Sequence, residues 1–190
     1  FEEQTEADAM DILLVMDISP SMLTRDFTPD RLSVAKKVAN DFVARRPFDR
    51  LGLVAFSGGA FTQCPLTNDR RLLQGFINNL QVGRLPDGTA IGMGIATAVQ
   101  HLKDSPSPGR IVVLLTDGES NSGTIGPIEA AEMAQVLGVR VYPVGIGKEG
   151  VVLSPSRRNY DGSYAFAPRE MHFDSTLLLQ VAQLTKGRFY

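Results

Sequence analysis

A chain of 190 residues, 43% of them apolar, is long enough to form one domain with a substantial core. Its formal net charge of -2 comes without any basic cluster, so nucleic acid is not an expected partner. The single cysteine, Cys64, rules out an intrachain disulfide and a thiolate zinc cluster, and no apolar run reaches the roughly 18 residues that span a membrane as a helix.

Residues 1–190 are expected to form a single domain. The chain opens on Phe1-Glu2-Glu3, shows no signal peptide and stops just after an apparent strand; it is expected to be a piece of a longer protein. Ile12–Met16 is the first short apolar run, and it leads straight into Asp17-x-Ser19-x-Ser21. A helix is expected over 31–46, with Leu32, Ala35, Val38, Ala39, Phe42 and Val43 on one face and Thr28-Pro29 as its start signal. Leu51–Phe56 is a second buried strand, and 61–67 is expected to fold back on it as an antiparallel edge, where Pro65 is tolerated.

A second helix is expected over 68–80, with Thr67 as cap and Leu72, Leu73, Phe76, Ile77 and Leu80 inward. A third covers 90–102, with Ile91, Ile95, Ala98, Val99 and Leu102 inward. Ile111–Leu115 and Val139–Val144 are further buried strands, separated by a helix over 127–137 that Gly138 ends. The stretch 151–173 breaks this rhythm and reads as an inserted excursion with a hairpin tip at Asp161-Gly162. A fifth helix over 175–186, capped by Asp174 and stopped by Gly187, precedes a last strand beginning at Arg188. Strands apolar on both faces, alternating with helices, imply an α/β fold: a doubly wound, mostly parallel sheet of about six strands, covered by helices on both faces.

In such a sheet, ligands gather beyond the carboxyl ends of the strands. Three polar loops fall at that end: Asp17-x-Ser19-x-Ser21, Asp87-Gly88-Thr89-Ala90 and Thr116-Asp117-Gly118-Glu119-Ser120. They supply oxygen, with neither sulfur nor imidazole, which suits Mg²⁺ or Mn²⁺. Alternate residues of an extended turn point the same way, so Ser19 and Ser21 can face one point with Asp17 beneath it. Gly88 and Gly118 let the other two loops come close. Each loop alone would pass for a turn with capping oxygens; their joint position at one end of one sheet points to a site. Glu119, His101 and His172 read as solvated residues. Met22 and Phe27 read as packing for the first loop, Cys64 as a small half-buried apolar residue, and the Arg45-Arg46 and Arg157-Arg158 pairs as surface.

"DILLVMDISPSM", "DGTAIGMGIATAV", "RIVVLLTDGESNSG" and "GVRVYPVGIG" resemble, in order, the landmark segments of the von Willebrand factor A domain family. "DFTPDRLSVAK" and "TKGRFY" are further similar to its bacterial aerotolerance (Bat-type) membrane proteins. The resemblance covers nearly the whole chain; 151–173 is its least matched part. It implies a metal-ion-dependent adhesion site, with Ser19, Ser21 and Thr89 as direct ligands of Mg²⁺, Mn²⁺ or Ca²⁺, and Asp17 and Asp117 acting directly or through water. It also implies a bacterial cell-envelope location, with the parent protein anchored in the inner membrane.

Two functions could use such a site. In a binding module, an ion held mainly by neutral hydroxyls keeps much of its charge and attracts an acidic side chain of a protein partner. In a Mg²⁺-dependent phosphohydrolase, Asp17 would be the nucleophile, and the residue two positions on would serve as general acid. Here that residue is Ser19, which does no acid–base work at neutral pH. No lysine in the three loops is placed to hold phosphate. The expected function is therefore binding, without catalysis.

Overall fold

The structure, a computed structural model, describes residues 9–190. Residues 1–8, on which the expected excision and the start of the expected domain rest, lie outside the described residues. The central sheet has the order β3-β2-β1-β4-β5. β1 (Asp11–Asp17), β2 (Arg50–Phe56), β4 (Arg110–Thr116) and β5 (Arg140–Gly145) run parallel, and β3 (Ala60–Thr67) is the antiparallel edge on β2. Every residue of β1 is buried, as a central strand covered on both faces demands.

Alternation along β1 divides the core. Ile12, Leu14 and Met16 pack with Leu32, Ala35, Ala39 and Val43 of α1 (Arg31–Ala44), and with Leu73 and Ile77 of α2 (Arg70–Asn78). Leu13 and Val15 face the other way. They meet Ile91, Ile95 and Val99 of α3 (Ile91–Leu102), Ala130 and Ala134 of α4 (Pro127–Val136), and Leu178 and Val181 of α5 (Thr176–Leu184). The expected doubly wound α/β architecture with one antiparallel edge is the observed one.

Several boundaries differ from expectation. The cap of α1 is Asp30, whose Oδ1 accepts from Ser33 N at 2.8 Å, and not Thr28. The cap of α2 is Asp69, accepting from Leu72 N at 3.0 Å, while Thr67 instead accepts from Asp69 N. In both cases the carboxylate stands closer to the first free amides and displaces the hydroxyl. Leu72 turns outward and is 49% exposed. Ser175 directly flanks α5 without a side-chain bond, Asp174 Oδ1 accepts from Thr176 N at 2.9 Å, and the left-handed residue after the helix is Lys186 at φ 56°. Gly187 is needed for closeness instead: a Cβ there would lie 1.8 Å from Val141 O.

Among the described residues the sheet has five strands, not about six. At the β5 edge, only Tyr190 of the expected last strand pairs, its N donating to Pro143 O at 3.0 Å and its O accepting from Gly145 N at 2.8 Å. One pair of bonds does not make a ladder. Further along that edge, Val141 N donates to Thr185 Oγ1 at 3.1 Å.

The 151–173 excursion is a separate hairpin of β6 (Gly150–Arg158) and β7 (Tyr164–Met171), closed at Asp161-Gly162. It docks on the segment after β1. Arg25 N donates to Leu153 O at 2.9 Å, Thr24 Oγ1 and Ser154 Oγ lie 3.0 Å apart, and the Arg25 guanidinium sits 4.1 Å from the Phe166 ring centre.

Candidate metal centre

β1 ends where its neighbours end: Asp17 is opposite Phe56 of β2, and Met16 is opposite Leu115 of β4. The three polar loops therefore leave the sheet at one level. Asp17 is wholly buried. Its Oδ1 accepts from Ser19 N at 2.8 Å, which bends the chain into the loop, and its Oδ2 accepts from Thr116 Oγ1 at 2.7 Å. In the sequence Thr116 is only the first residue of the third polar loop, with nothing to link it to Asp17. Its place beside Asp17 follows only from the β1–β4 register.

Ser19 Oγ and Ser21 Oγ lie 3.0 Å apart. Two adjacent oxygens about 2.1 Å from one octahedral ion stand about 3 Å apart, so this spacing fits a hard cation. A 3-10 turn, Pro20–Leu23, fixes the pair, and Met22, fully buried, pins the turn from below. Thr89 arrives from the second loop. Its neighbours bind the end of β2: Ala90 N donates to Ser57 O at 2.7 Å, and Ser57 Oγ donates to Gly88 O at 3.0 Å. Thr89 N donates to Asn121 Oδ1 at 2.9 Å, and Thr89 O accepts from Asn121 N at 3.0 Å, which ties the second loop to the third. Gly88 and Gly118, at φ 130° and 90°, take backbone shapes that side chains disfavour.

Among the described residues, no group of three His, Cys, Asp or Glu is placed to hold a metal. The oxygens that the three loops bring together fit magnesium or manganese better than a soft metal.

Asp117 does not stand free. Its Oδ2 accepts from Arg31 Nη1 at 3.1 Å, in a pair whose side chains are almost fully buried. Arg31 also grips Asp26 through Nε and Nη2 at 2.8 to 3.0 Å. Burial works against the guanidinium charge, and Asp26 and Asp117 more than restore it, so its pKa stands above the ordinary value. In sequence, a lone arginine opening a helix looks like any solvated residue. At Asp17, burial first and the charge of Asp117 second push the carboxyl up to about 7, against the hydrogen bonds from Ser19 and Thr116.

Glu119 and the two histidines behave as surface. Glu119 is exposed. The His101 ring meets Thr62 Oγ1 at 2.7 Å on the surface, and His172 lies near Glu170 at 3.9 Å, both exposed. Cys64 is buried against β2, more deeply than expected.

Comparisons with known proteins bear on this arrangement. The profile of the von Willebrand factor type A domain matches residues 12–119. An uncharacterised protein of Borreliella burgdorferi is 35% identical over 95% of this chain and 53% of its own length. The chain thus spans about half the length of the curated relatives it matches. An aerotolerance-related membrane protein from Bacteroides fragilis superposes with a TM-score of 0.82 at 28% identity, over 95% of this chain and 90% of that one. Proximal thread matrix protein 1 of the mussel byssus, solved with a zinc-occupied MIDAS motif, shares the fold with a TM-score of 0.72 at 22% identity, over 97% of this chain and 41% of that one.

Proposed function

The chain belongs to the von Willebrand factor type A domain family, and from that premise we propose that it is a divalent-metal-dependent protein-binding module. Ser19, Ser21 and Thr89 hold the ion, with Asp17 and Asp117 beside it. The observation that carries this reading is the pair of serine hydroxyls 3.0 Å apart in the loop that Asp17 bends. The bound ion, only partly neutralised by hydroxyl ligands, supplies positive charge for an acidic side chain of a partner protein. The chain's own part is preorganisation. Thr116 and the Ser19 amide fix Asp17, the Asn121 contacts fix Thr89, and the 3-10 turn fixes both serines, so little ordering is left for binding.

Catalysis by Asp17 is disfavoured. A nucleophile must reach its substrate, and this carboxylate is wholly buried with both oxygens engaged. The mussel protein, solved with a zinc-occupied MIDAS motif, supports metal binding on this fold. The Bacteroides fragilis neighbour, described as an aerotolerance-related membrane protein, supports a bacterial envelope location. No helix among the described residues is long and apolar enough to cross a membrane.

Thermal melts test the metal. At tenfold over its dissociation constant, Mg²⁺ or Mn²⁺ should stabilise the fold by roughly 1.4 kcal/mol relative to EDTA. The Ser19→Ala/Ser21→Ala protein should lose that shift. A shift that survives the double substitution would remove the assignment. Affinity capture from a bacterial membrane extract, with Mg²⁺ against EDTA, then tests the partner: a metal-dependent protein should appear with wild type and vanish with Asp17→Ala.

A further inference from the structure

A buried arginine at the first position of a helix is anomalous twice over. The helix N-terminus repels a cation, and a guanidinium rarely leaves water unless paired. Arg31 is 2% exposed and opens α1. Its Nε and Nη2 are taken by Asp26, and its Nη1 reaches Asp117 Oδ2 at 3.1 Å. Lys148 N, from the loop after β5, donates to the same Asp26 oxygen at 2.8 Å, and Gly147 lies against the guanidinium. Satisfying Asp26 would explain one face of Arg31. It does not explain the nitrogen directed at a carboxylate of the candidate centre. Beside this pair opens a cavity of about 320 Å³, lined by Arg31, Asp117, Phe173 and the exposed Lys148.

We propose that Arg31 is a positioning residue of the metal centre: by holding Oδ2 of Asp117, it keeps that carboxylate from closing on the ion and so reserves a coordination position for the partner's carboxylate. The inference rests on the metal-binding reading above. A planar fork suits the task, because the two bonds to Asp26 fix the direction of the third nitrogen, which an ammonium could not do. A freed Asp117 would be a stronger ligand and would cancel charge that the partner needs.

Two variants of the full chain test this, and they should move metal affinity in opposite directions. Arg31→Met releases Asp117. Mn²⁺ should then bind about tenfold tighter by calorimetry, with fewer exchangeable waters on the bound Mn²⁺ by proton relaxation. Acetate should bind the Mn²⁺-loaded protein about tenfold more weakly. Asp26→Asn leaves Arg31 to pair with Asp117 alone, and Mn²⁺ should bind about threefold more weakly. Loss of the guanidinium charge alone would also tighten Mn²⁺, and loss of the Asp26 charge alone would also loosen it, so the water count decides: without a positioning role it stays at the wild-type value in Arg31→Met. Unchanged or weaker Mn²⁺ binding, or an unchanged water count, in folded Arg31→Met overturns the proposal; if that variant fails to fold, unchanged or tighter binding in Asp26→Asn overturns it. Absence of Mn²⁺ binding by the wild-type chain overturns the metal reading itself, and this inference with it.

Discussion

At Asp17, folding and metal binding make opposite demands on one proton. Burial and the nearby Asp117 raise its carboxyl to about 7, from an ordinary value of 3.8. A carboxyl with a raised folded pKa stabilises the fold most when protonated. Its contribution is fully present below about 4 and is lost as pH rises through about 7. In EDTA, the Asp17→Asn protein should therefore gain stability on wild type between about pH 4 and pH 7, read as the difference in urea midpoints. A difference that does not change with pH would refute this. Metal affinity of the wild type should rise over the same interval, because ligation needs the carboxylate. The sequence made Asp17, Ser19 and Ser21 legible because they are contiguous and alternate along an extended turn. Thr116 and Arg31, which set the state of the two aspartates, were not legible. Their partners lie 99 and 86 residues away, and neither belongs to a local pattern.

Elements place the loops, so a backbone contact between elements can reach the site. Gly92 in α3 lies against the loop entering α4, and a Cβ there would stand 2.1 Å from Ile125 O and 2.5 Å from Gly126 C. Backbone cannot yield as a side chain can. Gly92→Ala should destabilise the domain by about 3 kcal/mol in denaturant titrations. It should also weaken metal binding in the folded fraction, because the same loop carries the Asn121 that holds Thr89. A loss of stability with unchanged metal affinity would show that the loop adjusts without passing the strain on. All five expected helices form, since their apolar spacing is long and regular. Their starts were misplaced where Asp30 and Asp69 outcompete a nearby threonine, a contest that composition alone does not decide.

In the whole molecule, the core and the loop end are separable. Val113 lies in the middle of β4, 9% exposed, on the floor of an apolar cavity of about 540 Å³ beside α1. Val113→Ala should cost about 1–2 kcal/mol and leave metal affinity unchanged, the reverse of Ser19→Ala/Ser21→Ala. Calorimetric titration alongside melting checks both, and a change in metal affinity in Val113→Ala would show that core and site are coupled. Alternation of apolar runs and helices was enough to read the sheet type and its two covered faces. It overcounted the strands because "RFY" has strand composition while only Tyr190 finds a partner. That partial pairing has an outcome for solubility. Along the outer side of β5, the amide of Val141 is taken by Thr185, position 143 is a proline with no amide, and that of Gly145 is taken by Tyr190. A strand from a second molecule would find no free donor there with which to begin a ladder. That side of the domain is closed to fibril-like stacking even when crowded copies are brought together.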